Sequence, residues 1–260
     1  MTVTRIGDNL DNTIEGITSN GFLGGDRQDL ISGLGGDDTL KGYEGNDTLI
    51  GGSGEDLLIG SDDSVIVNGA DDDLLYGDDP GDYSAGSRDS LQGRRGEDTL
   101  YGGGGDDFLS GGKDNDFLYG QGGNDLLLGN EDNDLLDGGT GDDTLIGSYF
   151  IAPDGSVDGY DTLTGGSGAD TFMIGFTSSI DGTNYIHHTG DGYAVINDYD
   201  SSEGDRIVVS GDFSNYTLET SINNRGAFDL DTVVRYNGDI IAVVVDSPDL
   251  SVIFDFDSNY

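Results

Sequence analysis

A nine-residue period governs this chain from about Gly24 to Met173, with an Asp in the sixth place of each unit and an apolar residue in the eighth. Four copies run without a break, at 102–110, 111–119, 120–128 and 129–137. The sixth place holds Asp29, Asp38, Asp47, Asp56, Asp73, Asp89, Asp98, Asp107, Asp116, Asp125, Asp134, Asp143, Asp161 and Asp170. The eighth holds Ile31, Leu40, Leu49, Leu58, Leu75, Leu91, Leu100, Leu109, Leu118, Leu127, Leu136, Leu145, Leu163 and Phe172. Each unit reads as a six-residue glycine-rich turn followed by a three-residue strand, so the fold is an array of like elements. An imperfect earlier unit, Gly7 to Glu15, puts Asn12 and Ile14 in the two places and starts the array.

Composition bears on what completes such an array. The chain has 52 acidic residues against 10 basic ones, a net charge of −42, and 47 glycines. Apolar burial on that scale does not offset the charge repulsion and the backbone entropy lost at the glycines, so a cation has to complete the fold. Without Cys, disulfides and thiolate metal sites are excluded. The charge also repels nucleic acid, and no stretch has the length of a transmembrane helix.

The units resemble the repeats-in-toxin (RTX) nonapeptide G-G-x-G-x-D-x-U-x. That resemblance implies an all-β fold, a right-handed parallel β-roll that is a calcium-binding solenoid, closed here by a C-terminal β cap. Ca²⁺ takes six to eight oxygens from carboxylates and carbonyls, and one turn offers only part of that shell. The chain reverses sides every nine residues, so turns n and n+2 stack on one edge and share the ion; Asp107 should lie one layer from Asp125, and Asp116 one layer from Asp134. Fourteen turns in two stacks of seven leave places for about twelve ions.

The resemblance further implies that the carbonyls of positions 2 and 4 face one ion with the position-6 Asp, and positions 1, 3 and 5 face the next. The glycines concerned include Gly102, Gly103, Gly105, Gly111, Gly112, Gly120, Gly123, Gly129, Gly138, Gly139 and Gly141. Position 5 is Asp37, Asn46, Glu55, Asp72, Glu97, Asp106, Asn115, Asn124, Asn133 or Asp142 in most units, residue types suited to an oxygen ligand. Position 4 departs from Gly at Arg27, Asp71, Ser87, Asp114 and Asp132, and Gln28, Arg88, Tyr160 and Ala169 stand at position 5. Asp tolerates the left-handed region, so the Arg27 and Ser87 turns are the weaker sites.

The organisation read from the sequence is a start at 1–23, a roll at 24–173 with insertions at 60–67, 77–83 and 147–155, and a cap at 174–260. Asp78, Asp79 and Asp82 in the second insertion form a candidate side site for calcium, against a plain acidic loop. In the cap, Thr232–Tyr236 and Asp239–Val245 flank Asn237-Gly238 as a β-hairpin, and 193–200 and 205–210 read as strands. Residues 196–209 resemble the segment that follows the repeats in secreted RTX proteins. The ending at 252–260 resembles the tail read by type I secretion machinery, and the N-terminus has no apolar signal core. Around each buried position the neighbours face outward, giving one face with Leu74, Tyr76, Tyr101, Phe117, Tyr119 and Leu135 and another with Phe108, Ser110, Leu126, Leu128 and Ile146. Such apolar stripes are expected to be covered.

No nucleophile, metalloprotease or phosphate-loop motif is present, and His187 and His188 sit in a polar stretch that reads as an exposed loop. The expectation is a secreted, extracellular or cell-surface calcium-binding protein, structural or self-assembling, and not an enzyme. The alternatives are an accessory module that binds a cell-surface polysaccharide and an enzyme whose site is built in the cap from Asp and Tyr.

Overall fold

The computed structural model describes residues 3–8, 10, 12–16, 28–61, 71–81, 86–148, 159–174, 177–179, 184–186, 192–209, 215–222, 230–236 and 239–245. Arg27, Asp82, Asp154, His187, His188, Asn237, Gly238 and the tail at 252–260 lie outside them. The described secondary structure is all β, with no α-helix and none long and apolar enough to cross a membrane. The chain divides into two compact units, 1–127 and 128–260.

The first unit carries β1 (Val3–Ile6), β2 (Thr13–Glu15), β3 (Asp29–Gly35), β4 (Thr39–Tyr43), β5 (Thr48–Ser53), β6 (Leu57–Ser61), β7 (Leu74–Tyr76), β8 (Ser90–Arg95), β9 (Thr99–Gly104), β10 (Phe108–Lys113) and β11 (Phe117–Gly122). Odd strands pair in the order β1-β3-β5-β7-β9-β11 and even ones in the order β2-β4-β6-β8-β10. Every one of those pairs is parallel. That is a parallel β-roll: consecutive strands lie in opposite sheets, and every second one is a neighbour. The early unit is part of it, with Ile14 in register with Leu40. The division between the units falls in β12 (Leu126–Asn130).

The second unit carries β13 (Leu135–Thr140), β14 (Thr144–Ile146), β15 (Tyr160–Ser167), β16 (Thr171–Met173), β17 (Thr177–Ser179), β18 (Asn184–Ile186), β19 (Tyr193–Ile196), β20 (Arg206–Val208), β21 (Tyr216–Ile222), β22 (Leu230–Tyr236) and β23 (Asp239–Val244). β13 pairs parallel with β15, and β14 with β16. The parallel pairing continues past Met173. β19 adds to β15 and β20 to β16, so two strands expected in the cap are laid down as a further coil. β23 then joins β19 in parallel and turns back antiparallel through β22 to β21, where the expected hairpin strands are found. β17 and β18 form a separate antiparallel pair.

In each unit the core of the roll is built from the eighth-place side chains. All fourteen, from Ile31 to Phe172, are fully buried, and Ile196 and Ile207 continue the file. Each such burial stabilises by about 1.5–3 kcal/mol, but a repeat unit supplies only one in its eighth place, set beside a buried sixth-place Asp. Outside the first unit's odd sheet, Ile50, Tyr76, Tyr101 and Tyr119 stand in one cross-strand row. The three tyrosine rings stack at 5.0 and 4.9 Å, within 10° of parallel, and Phe117 beside them is 43% exposed.

Candidate metal sites

The sixth-place carboxylates are the unusual feature of this interior. All fourteen are at most 3% exposed. They are tied into two ladders, one along each edge where the chain crosses between sheets. In the first unit one ladder runs through the N–H of Asp29 donating to Asp47 Oδ1, Asp47 to Asp73, Asp73 to Asp98 and Asp98 to Asp116, at 2.7–2.8 Å. The other runs from Asn12 to Asp38, Asp56, Asp89, Asp107 and Asp125 at 2.7–2.8 Å. Asp107 thus lies one layer from Asp125. In the second unit Asp134 donates to Asp161, and Asp143 to Asp170.

Oδ1 is the acceptor in these bonds, and on several of the ladder Asp residues Oδ2 is bare. Oδ2 of Asp38, Asp47, Asp56, Asp73, Asp89, Asp98, Asp107 and Asp170 is buried without a hydrogen-bond partner among the described residues. First-place glycine makes room for it. A Cβ on Gly102 would lie 2.5 Å from Asp107 Oδ2, and Gly111, Gly129 and Gly138 stand in the same relation to Asp116, Asp134 and Asp143. In the metal-free fold burial pushes five of the ladder carboxyls far up, to about 7 at Asp47 and Asp56, 8 at Asp89, 9 at Asp107 and 10 at Asp98, with neighbouring ladder carboxylates adding repulsion. Asp125, Asp161 and Asp170 rise to about 6, and Asp73 well above the usual range.

Buried charge of one sign with bare oxygens in file calls for a hard cation, and the donors fit one: oxygen only, from carboxylates and carbonyls. No three acidic or imidazole side chains converge among the described residues, so carbonyls have to supply most of each shell. The turns are shaped for that. Positions 2 and 4 both have positive φ, as at Gly103 and Gly105 (113° each) or Gly139 and Gly141 (106° and 124°). Asp114 and Asp132 adopt φ 73° at position 4. At position 2, Leu34 is held at φ 79° although it is not glycine and is 43% exposed. Leu34→Gly is therefore expected to stabilise the calcium-loaded roll by about 1 kcal/mol, read as a higher urea midpoint.

Position-5 side chains do not enter the ladders of bare oxygens. Asp37, Glu55, Glu97, Asp106, Asn124, Asn133 and Asp142 are exposed. Their carboxylates and amides form an outer series: Asp37 Oδ1 accepts the Glu55 N–H at 3.0 Å, Asp106 the Asn124 N–H at 2.9 Å, and Asp142 the Ala169 N–H at 2.8 Å. Asn46 and Asn115 donate through their amides to Asp72 and Glu97. In the Ser87 turn, Ser87 Oγ accepts the Gly54 N–H at 3.1 Å.

One ladder residue escaped the nonapeptide count. Asp205 is 4% exposed, its Oδ1 accepts the Asp170 N–H at 2.9 Å, and Ile207, two residues on, is in register with Phe172. The signal was present as Asp-x-apolar after a Gly. Its Oδ2 is not bare, because the Asp200 N–H donates to it at 2.8 Å. Ala194 holds the corresponding place opposite Asp161.

A search of curated proteins returned no match. The model of the RTX calcium-binding nonapeptide repeat matches four segments, 23–58, 83–118, 119–148 and 158–175. All the sixth-place Asp residues except Asp73 lie in these segments, and calcium is the cation that their donors suit. The four matched segments of this chain are RTX calcium-binding nonapeptide repeats.

Proposed function

We propose that the protein is an extracellular or cell-surface structural protein, exported by type I secretion machinery, that folds on meeting calcium and assembles with its own copies. The observation that carries this is the file of buried carboxylates with bare Oδ2 atoms. In this reading the ladder Asp residues and the carbonyls of the turn positions hold about twelve ions between successive layers, and the strands beyond the roll cap it. Such sites bind at roughly 10⁻⁴–10⁻³ M, a concentration met outside the cell, so the chain crosses the export channel unfolded and completes its fold afterwards. The matched repeat is a structural calcium-binding element, and the reading gives it no catalytic role.

The tyrosine row favours self-assembly over polysaccharide binding. Sugars stack on ring faces, whereas the faces of Tyr76, Tyr101 and Tyr119 lie against one another and present their edges. Replacing Tyr101 and Tyr119 with Ser is expected to leave the calcium-induced β spectrum intact and to reduce calcium-dependent light scattering at least severalfold. Unchanged scattering, or binding of the wild type on a glycan array that the double variant loses, would sink the assembly reading.

A further inference from the structure

Insertions interrupt the period at three places, and each is bordered by a buried polar side chain, Asp71, Asp78 or Ser148. After the first, Asp71 stands at position 4 of the Asp73 turn, 6% exposed, with Oδ1 accepting the Gly45 N–H at 2.6 Å. Before the second, Gly77 keeps first-position geometry: its carbonyl accepts the Gly52 N–H at 2.8 Å, and a Cβ on it would lie 2.5 Å from Asp89 Oδ2. Asp78 therefore holds position 2 of the Asp89 turn, at the point where the chain leaves the coil. It is 9% exposed, and its Oδ2 accepts the Gly104 N–H at 2.8 Å from the next turn of the same ladder. Before the third, Ser148 has the same register, since Gly147 packs on Asp161 Oδ2, but its hydroxyl donates to that oxygen at 2.7 Å.

We propose that the Asp78 carboxylate is an additional calcium ligand in the ladder of Asp56, Asp89 and Asp107. Three observations support it. Asp89 and Asp107 are 1% and 3% exposed, and their Oδ2 atoms are buried and bare. The flanking glycines place Asp78 between them, since Gly77 packs on Asp89 Oδ2 and a Cβ on Gly103, in the Asp107 turn, would meet Asp78 Oδ2. The nearby cation does not balance them, because Arg88 turns outward and its Nε donates to the Asp106 carbonyl at 3.1 Å. A carboxylate in place of a neutral carbonyl at an ion raises affinity, as ligand charge does in other calcium sites. The second insertion thus sets an added charge beside the break in the calcium file. Ser148 does the reverse, occupying with a proton donor the oxygen that an ion would take.

The inference rests on the reading that the ladders hold calcium, and the test separates the two. Full-length wild type, Asp78→Asn and Asp79→Asn are compared by isothermal titration with Ca²⁺ and by ion count after equilibrium dialysis. Asn keeps the acceptor for the Gly104 N–H and removes the charge; Asp79 is exposed in the same insertion. The expected result is one ion lost, or one site weakened tenfold or more, in Asp78→Asn alone, with the wild-type β spectrum at saturating calcium. An Asp78→Asn isotherm equal to wild type overturns the inference and leaves Asp78 as a hydrogen-bond acceptor. So does an Asp78→Asn chain that stays unfolded at saturating calcium, since mass action restores a weakened site but not a missing structural group. A wild type that binds no calcium overturns both readings.

Discussion

In EDTA at pH 8 the protein loses its β circular-dichroism spectrum, and added calcium restores it in one cooperative transition centred at roughly 10⁻⁴–10⁻³ M. The cause is the interior. Each coil contributes one apolar side chain per strand and one carboxylate at most 3% exposed, and the carboxylates along an edge repel one another. An ion set between two turns removes the repulsion and ties both turns together, so sites fill and layers form as one event. Acid should replace calcium in part. Asp47, Asp89, Asp98, Asp107, Asp125 and Asp170 titrate near 3.9 when unfolded and at about 6–10 in the metal-free roll. With folded values raised, the metal-free roll holds more protons than the unfolded chain, is least stable above those values, and gains stability as the pH falls toward 4. The β spectrum should therefore grow in EDTA between pH 8 and pH 5. A spectrum that survives EDTA at pH 8 would mean that the buried Asp file is not what keeps the metal-free chain open.

Much of this was legible because the repeat writes geometry into spacing. The distance of two from Asp to the apolar place sends Asp107 to the turn and Leu109 into the core, and every such apolar residue proved fully buried. What the count missed lies where spacing is broken but geometry is kept. Asp205 and Ile207 continue the ladder and the core after a long interruption, because parallel pairing on β16 depends on the strand and not on the length of chain leading to it. Asp78 looked like part of an acidic loop; its neighbour Gly77 still packs on Asp89, and that places it in the roll. The outer hydrogen-bond series at position 5 was hidden for a different reason. Asp and Asn suit both a metal and a backbone N–H, so residue type alone does not choose between them.

Asp98→Asn should act in opposite directions with and without calcium, which no loss of packing or of a hydrogen bond would do. Asp98 is fully buried, its Oδ1 accepts the Asp73 N–H at 2.7 Å, and its Oδ2 is bare. Asn has the same shape and can keep the Oδ1 bond, so the substitution changes chiefly the charge. In the metal-free roll, burial and the flanking Asp73 and Asp116 push the Asp98 carboxyl to about 10, which makes holding it protonated at pH 7.5 cost on the order of 5 kcal/mol. Asn removes that cost. In EDTA the pH at which the β spectrum appears should thus move upward in the variant. With calcium the carboxylate is a ligand, and its loss should raise the calcium midpoint at pH 7.5 on the order of tenfold, about 1.4 kcal/mol, and lower the ion count. A variant weakened under both conditions would show that Asp98 serves the fold through its hydrogen bonds. A calcium midpoint equal to wild type would remove Asp98, and with it the middle of that ladder, from the ligand set.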